Sequence, residues 1–243
     1  MGRLRLLLLE LIDVEPNDWW LNEVKSMLAG NDGVFFDLFK AELEIYDQAL
    51  EVVDNDSWQE VRQKAAKYIK QDSQRRGKQA FLNILNETLA YKYLVDCGFH
   101  SVRVTTDCGL KGHKNKPKTP DIHFQVGDEM SYCEVKTIGK SEVELDRARA
   151  DEIFSGAVYS TLSDGFLRKL SSDISDAIEQ IPTKSMNNLV YVIVDFDDFM
   201  GLHYEKYEKQ IRNHLREKHG YVQVYLRIGV HGRYYIHHKP TDV

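Results

Sequence analysis

Residues 118–140 read KTPDIHFQVGDEMSYCEVKTIGK, and the stretch places Asp121, Glu134 and Lys136 within sixteen positions of one another. Asp121, His123 and Gln125 alternate with Ile122, Phe124 and Val126, and Tyr132, Glu134 and Lys136 alternate with Cys133 and Val135. Period two is the signature of strands, so the stretch reads as a β-hairpin with its polar residues on one face. The apolar sets have to coincide, which restricts the loop to an even length. A two-residue Gly127-Asp128 turn sets Asp121 opposite Glu134. A four-residue loop sets Asp121 opposite Lys136 and His123 opposite Glu134. In both registers the two acids and the amine converge. Facing carboxylates lie about 5 Å apart at Cβ and repel each other. A divalent cation between them removes that repulsion. Magnesium takes one or two carboxylates, keeps several waters and accepts phosphate oxygens. A lysine on the same face can orient or help deprotonate a metal-activated water, or neutralise a phosphate. Together these parts suit hydrolysis of a phosphodiester.

The surrounding pattern says which elements must hold this hairpin. Residues 1–72 read as helices. MGRLRLLLLELID imitates a signal peptide, but Glu10 interrupts a short apolar run with no small-residue cleavage site, so a buried amphipathic helix is expected. PNDWWLNEVKSMLAG has Asn17 or Asp18 as a cap and Gly30 as a stop, and SWQEVRQKAAKYIKQD opens on Ser57 and Glu60 at capping-box spacing. From about residue 74 the pattern changes. RRGKQAFLNILNETLAYKYLVDCGF reads as a long helix closed by Gly98, HSVRVTTD as a strand, and the hairpin as two more. DGFLRKLSSDISDAIEQI is a helix, and NLVYVIVDF is the unbroken apolar run of a strand covered on both faces. A helix from HYEKYEKQIRNHLREKHG and the strands YVQVYLRIG and RYYIHHK follow. The order α-β-β-β-α-β, then α-β-β, predicts an α/β fold with a mixed sheet flanked by helices.

Pro120-Asp121, a spacer of twelve residues, and Glu134-Val135-Lys136 resemble the motif of the PD-(D/E)XK nuclease superfamily, the restriction-endonuclease-like fold. The resemblance covers about residues 74–196, whose α-β-β-β-α-β order is that of the family's core. It implies a nuclease-like domain at 73–243 behind a helical extension at 1–72. It also implies that Asp121 and Glu134 hold Mg²⁺, with Mn²⁺ as a substitute, that the Val135 carbonyl is a further ligand, and that Lys136 acts on the water. Many members add a glutamate from the preceding helix, and Glu87 in LNETLAYKYL occupies the matching place, at the border of that helix's apolar stripe. The QxxxY of the family's exonucleases has no counterpart here, so the resemblance implies an endonuclease. DNA is favoured over RNA by family habit alone. A non-cutting nucleic-acid-binding or protein-interaction module of the same fold is the alternative.

Basic residues surround the motif. Lys111, Lys114, Lys116 and Lys118, with His113, precede Asp121 in a Gly/Pro-containing loop suited to backbone phosphates, and His123 shares the acidic face. A second basic run, Arg62, Lys64, Lys67, Lys70, Arg75, Arg76 and Lys78, is suited either to line an approach to the same site or to form a solvated helix face, and residues 139–165 read as a surface helix or a lid. His237-His238 has no partner ligands at zinc spacing. The composition of the 243 residues, 42% apolar and 29% charged with net charge -6, fits an ordered protein and speaks against a generally basic nucleic-acid coat. Three cysteines without a CxxC pair point to a reducing, cytoplasmic compartment, and no stretch is long enough to span a membrane. A homodimer is compatible with the sequence.

Overall fold

The computed structural model describes residues 2–30, 34–71, 77–106, 119–139, 162–182, 185–194, 200–232 and 234–240. They form a mixed α/β fold of two compact units, one comprising Met1–Lys111 with Ile122–Asp128, the other Gly112–Asp121 with Glu129–Val243. The expected boundary near residue 72 falls among residues 72–76, which lie outside the described residues, as does Cys108.

The first unit holds α1 (Arg3–Val14), α2 (Trp19–Leu28), α3 (Val34–Glu51), α4 (Asn55–Tyr68), α5 (Gln79–Asp96), β1 (His100–Val104) and β2 (Ile122–Val126). In α1, Leu4, Leu7, Leu8, Leu11 and Ile12 are buried at the three-and-four spacing of one helical face. The first turn of α1 is capped from outside the helix, because the Leu4 N–H donates to Asp47 Oδ1 at 2.7 Å. Gly2 makes room for this, since a Cβ there would sit 1.8 Å from the Asp47 carboxylate. Asp18 caps α2, accepting the Leu21 N–H at 3.0 Å, and Gly30 takes φ +86° beyond its end.

The start of α4 corrects the capping-box expectation. The helix opens at Asn55, and Asp54 is its N-cap, accepting from the N–H groups of Asp56 and Ser57. Aspartate caps as well as serine does, and here it also meets Arg103 at 2.7 Å. The Ser57 hydroxyl serves another purpose, accepting the Val104 N–H at 3.0 Å and tying α4 to β1. β1 and β2 pair antiparallel, and Phe124 packs against Phe99 with ring centroids 4.9 Å apart.

The second unit holds β3 (Glu129–Ile138), α6 (Asp164–Ile178), β4 (Leu189–Val194), α7 (Met200–His219), β5 (Gln223–Ile228) and β6 (Tyr234–His238). β3, β4 and β5 run parallel in that order, and β6 closes the set antiparallel to β5. Every residue of β4 is buried, as its unbroken apolar run requires of a strand covered on both faces. Val190, Val192 and Val194 join Val224, Leu226 and Ile228 in a core closed by Leu170 and Ile174 of α6 and Ile211 and Leu215 of α7. The outer edge of β6 is not left bare. Tyr204 donates its hydroxyl to the Tyr235 carbonyl at 3.0 Å, and Arg212 donates to the His237 carbonyl at 3.1 Å. Filling edge carbonyls with side chains blocks the pairing of a further strand. Among the described residues no helix is long and apolar enough to cross a membrane.

Candidate active site

Asp121, Glu134 and Lys136 all belong to the second unit, and the structure brings them together. β2 ends at Val126 and β3 begins at Glu129, leaving Gly127-Asp128 between them with Gly127 at φ +60°, the left-handed backbone a primed turn demands. Of the two registers the sequence allows, the one that sets Asp121 across from Glu134 fits the hydrogen bonds Asp121 makes with β3. The contact is reciprocal. The Asp121 N–H donates to Glu134 Oε2 at 3.3 Å, and the Val135 N–H donates to Asp121 Oδ2 at 2.8 Å. Lys136 Nζ lies 2.8 Å from Glu134 Oε1. β3 itself is pinned at its start, where the Tyr132 N–H donates to Asn188 Oδ1 just before β4.

The face that carries Glu134 and Lys136 is covered by helices. In the parallel register Glu134 pairs with Val190 and Lys136 with Val192, so both side chains share the face that α6 and α7 cover. Glu134 is only 3% exposed, whereas Val135, on the opposite face, is half-buried. Period-two alternation reports which residues share a face; whether a helix covers that face is decided by packing between distant segments. Glu134 is therefore not a solvated polar-face residue, while Lys136 is half-buried.

Burial raises the Glu134 carboxyl first, the neighbouring Asp121 charge raises it further, and Lys136 and the Asp121 N–H only partly offset them. The result is a pKa pushed up to about 8. Without a cation, burial and the Asp121 charge favour the protonated form of Glu134. Two carboxyl groups forced together, one of them driven towards its neutral form, fit a missing positive charge. The donor set fits as well: carboxylate oxygens are the ligands of a hard cation such as Mg²⁺. Among the described residues no cluster of three or more His, Cys, Asp and Glu side chains is placed to hold a metal, so water would complete the shell.

Of the other expected site residues, Glu87 and His123 belong to the first unit, and the rest lie outside the described residues. Glu87 sits in the first unit on α5, 7% exposed, and its Oε2 is 2.8 Å from Lys64 Nζ. Lys64, of the second basic run, has its side chain largely buried in this pair and not on a solvated face, and Lys78 of the same run is buried too. His123 lies on β2 in register with Arg103, and burial followed by the Arg103 charge lowers its pKa. Lys111, His113, Lys114, Lys116 and Lys118 lie outside the described residues, as do Arg75, Arg76 and residues 140–161.

Sequence reasoning missed two features of the second unit. One is the Val135 N–H as the partner of Asp121, which no side-chain pattern could signal. The other is a row of tyrosines on the second face of the sheet, contributed by β4, β5 and β6. Comparison of the chain with protein-family models, with curated proteins and with solved structures finds no match.

Proposed function

We propose that the chain is a Mg²⁺-dependent nuclease of the PD-(D/E)XK, restriction-endonuclease-like kind that hydrolyses phosphodiester bonds internally in DNA. One observation carries the reading: Asp121 and Glu134 are locked together by reciprocal backbone hydrogen bonds with Lys136 on the second carboxylate. Support also comes from the α5-β1-β2-β3-α6-β4 order of elements and from the spacing of the three residues.

In this reading Asp121, Glu134 and the Val135 carbonyl hold the ion. Bound Mg²⁺ supplies Lewis-acid chemistry, polarising the scissile phosphate and acidifying a water. The chain's own residues do the rest. Fixed hydrogen bonds hold the Asp121 and Glu134 side chains in place before substrate arrives, so little reorganisation remains for the reaction. Lys136 keeps a positive charge within reach of the same oxygens, where it orients the attacking water or offsets charge building on the phosphate.

The test is nicking of a supercoiled plasmid. Open-circular and linear products with Mg²⁺ or Mn²⁺, and none with EDTA, are expected. Binding of DNA with the plasmid left whole under both metals would replace the nuclease by a silent binding module.

A further inference from the structure

The second face of the sheet carries an aromatic stack unrelated to the acidic site. Tyr191 on β4, Tyr225 on β5 and Tyr235 on β6 form a continuous row: centroids are 5.1 Å apart with 20° between planes for the first pair, and 5.7 Å apart with 14° for the second. The row is read from the register. Tyr191 and Tyr225 are partners in the parallel pair, and Tyr235 is the diagonal neighbour of Tyr225 across β5 and β6. Exposure rises along it, from Tyr191, which is buried, through Tyr225, which is half-buried, to Tyr235 at 55%. Helices α6 and α7 pack on the other face, so the stack ends in an aromatic ring open to solvent.

Cations flank that ring. Arg227 is the register partner of Tyr235, and its guanidinium is anchored by Nε donating to the Val230 carbonyl at 3.1 Å. It lies over Gly232, where a Cβ would come within 2.5 Å of it. Lys239, two residues beyond His237, is exposed. None of the positions that β4, β5 and β6 present on this face is an aspartate or glutamate. Nearly coplanar rings ending in an open aromatic face, with positive charge alongside and no acid among these strand positions, match unpaired bases on a phosphate backbone. Duplex bases, already stacked on each other, cannot reach a flat sheet surface in this way.

We propose that the Tyr225–Tyr235 face of β5 and β6 binds single-stranded DNA, one unpaired base stacking on the open side of Tyr235 and the adjacent phosphate meeting Arg227. The preference for DNA rests on the proposed nuclease reading; the stacking site does not, because it lies on the opposite face of the sheet from Glu134 and Lys136. A strand held here would mark the substrate as one with an unpaired segment.

The experiment is fluorescence anisotropy of a labelled oligothymidylate of about 15 nucleotides with the full chain in EDTA, where no cleavage intervenes. Tyr235→Ala should weaken binding about tenfold or more, while Tyr235→Phe should bind like the wild type. Arg227→Gln should weaken binding and flatten its salt dependence. The readout needs neither bound metal nor cleavage, which separates this site from the fate of the nuclease proposal. The proposal is overturned by an unaltered affinity in Tyr235→Ala, by equal loss for a blunt duplex, by tighter binding of oligouridylate, or by no binding of the oligothymidylate.

Discussion

The N–H of Asp121 donates to the carboxylate of Glu134 at 3.3 Å, across two segments thirteen residues apart in sequence. Together with the return bond from Val135 to Asp121, it holds two acids against one another where mutual repulsion would separate them. Each side chain in the constellation therefore has a distinct test.

Asp121→Asn keeps an oxygen for the Val135 N–H but removes a charge, so the fold should survive and Mg²⁺-dependent cleavage should fall by two orders of magnitude or more. Lys136→Met should do the same while leaving metal affinity intact, because the lysine is proposed to act on water and phosphate. Plasmid nicking alongside circular dichroism checks both. Cleavage at the wild-type rate by either variant would remove that residue from the site.

Glu134 gives the metal-free protein a pH signature. Its pKa rises on folding from an ordinary carboxylate value to about 8. The folded state thus binds more protons than the unfolded state between those values, and stability falls as pH rises through that window. The contribution is fully present below about pH 4.5 and lost above pH 8. In EDTA, the wild type should lose stability from pH 6 to 9 relative to Glu134→Gln, which stays protonation-independent. Urea midpoints at each pH measure the difference, and parallel curves for the two proteins would contradict the assignment.

How much of this was legible in the sequence depends on the range of the interaction. The unbroken run of β4, the leucine spacing of α1 and the alternation around Asp121 and Glu134 are local, and each yields its element. The cap of α4 was misread because Asp54 and Ser57 are both good caps and only the path of the chain into α4 chooses between them. Burial of Glu134 and the pairing of Glu87 with Lys64 come from segments far apart in the chain, so no window of residues contains them. The tyrosine row likewise exists only once β4, β5 and β6 are in register.

A buried charge elsewhere tests the packing of the first unit. Lys78 is 3% exposed, ion-paired with the Asp18 carboxylate and donating to the Ile69 carbonyl at 2.8 Å. Asp18→Ala strips the carboxylate from a buried ammonium and uncaps α2, and should cost about 3 kcal/mol or more. Lys78→Met, which removes the charge and keeps the apolar stem, should cost distinctly less. Urea unfolding of both variants decides the order, and equal costs would contradict it.

The central claim is that Asp121 and Glu134 together hold one divalent cation. Electron paramagnetic resonance of free Mn²⁺ during titration of the chain measures it most directly. The account requires one ion bound per chain, displaced by Mg²⁺ and lost in Asp121→Asn. Mn²⁺ left free by the wild type, or bound equally by the wild type and Asp121→Asn, would contradict it.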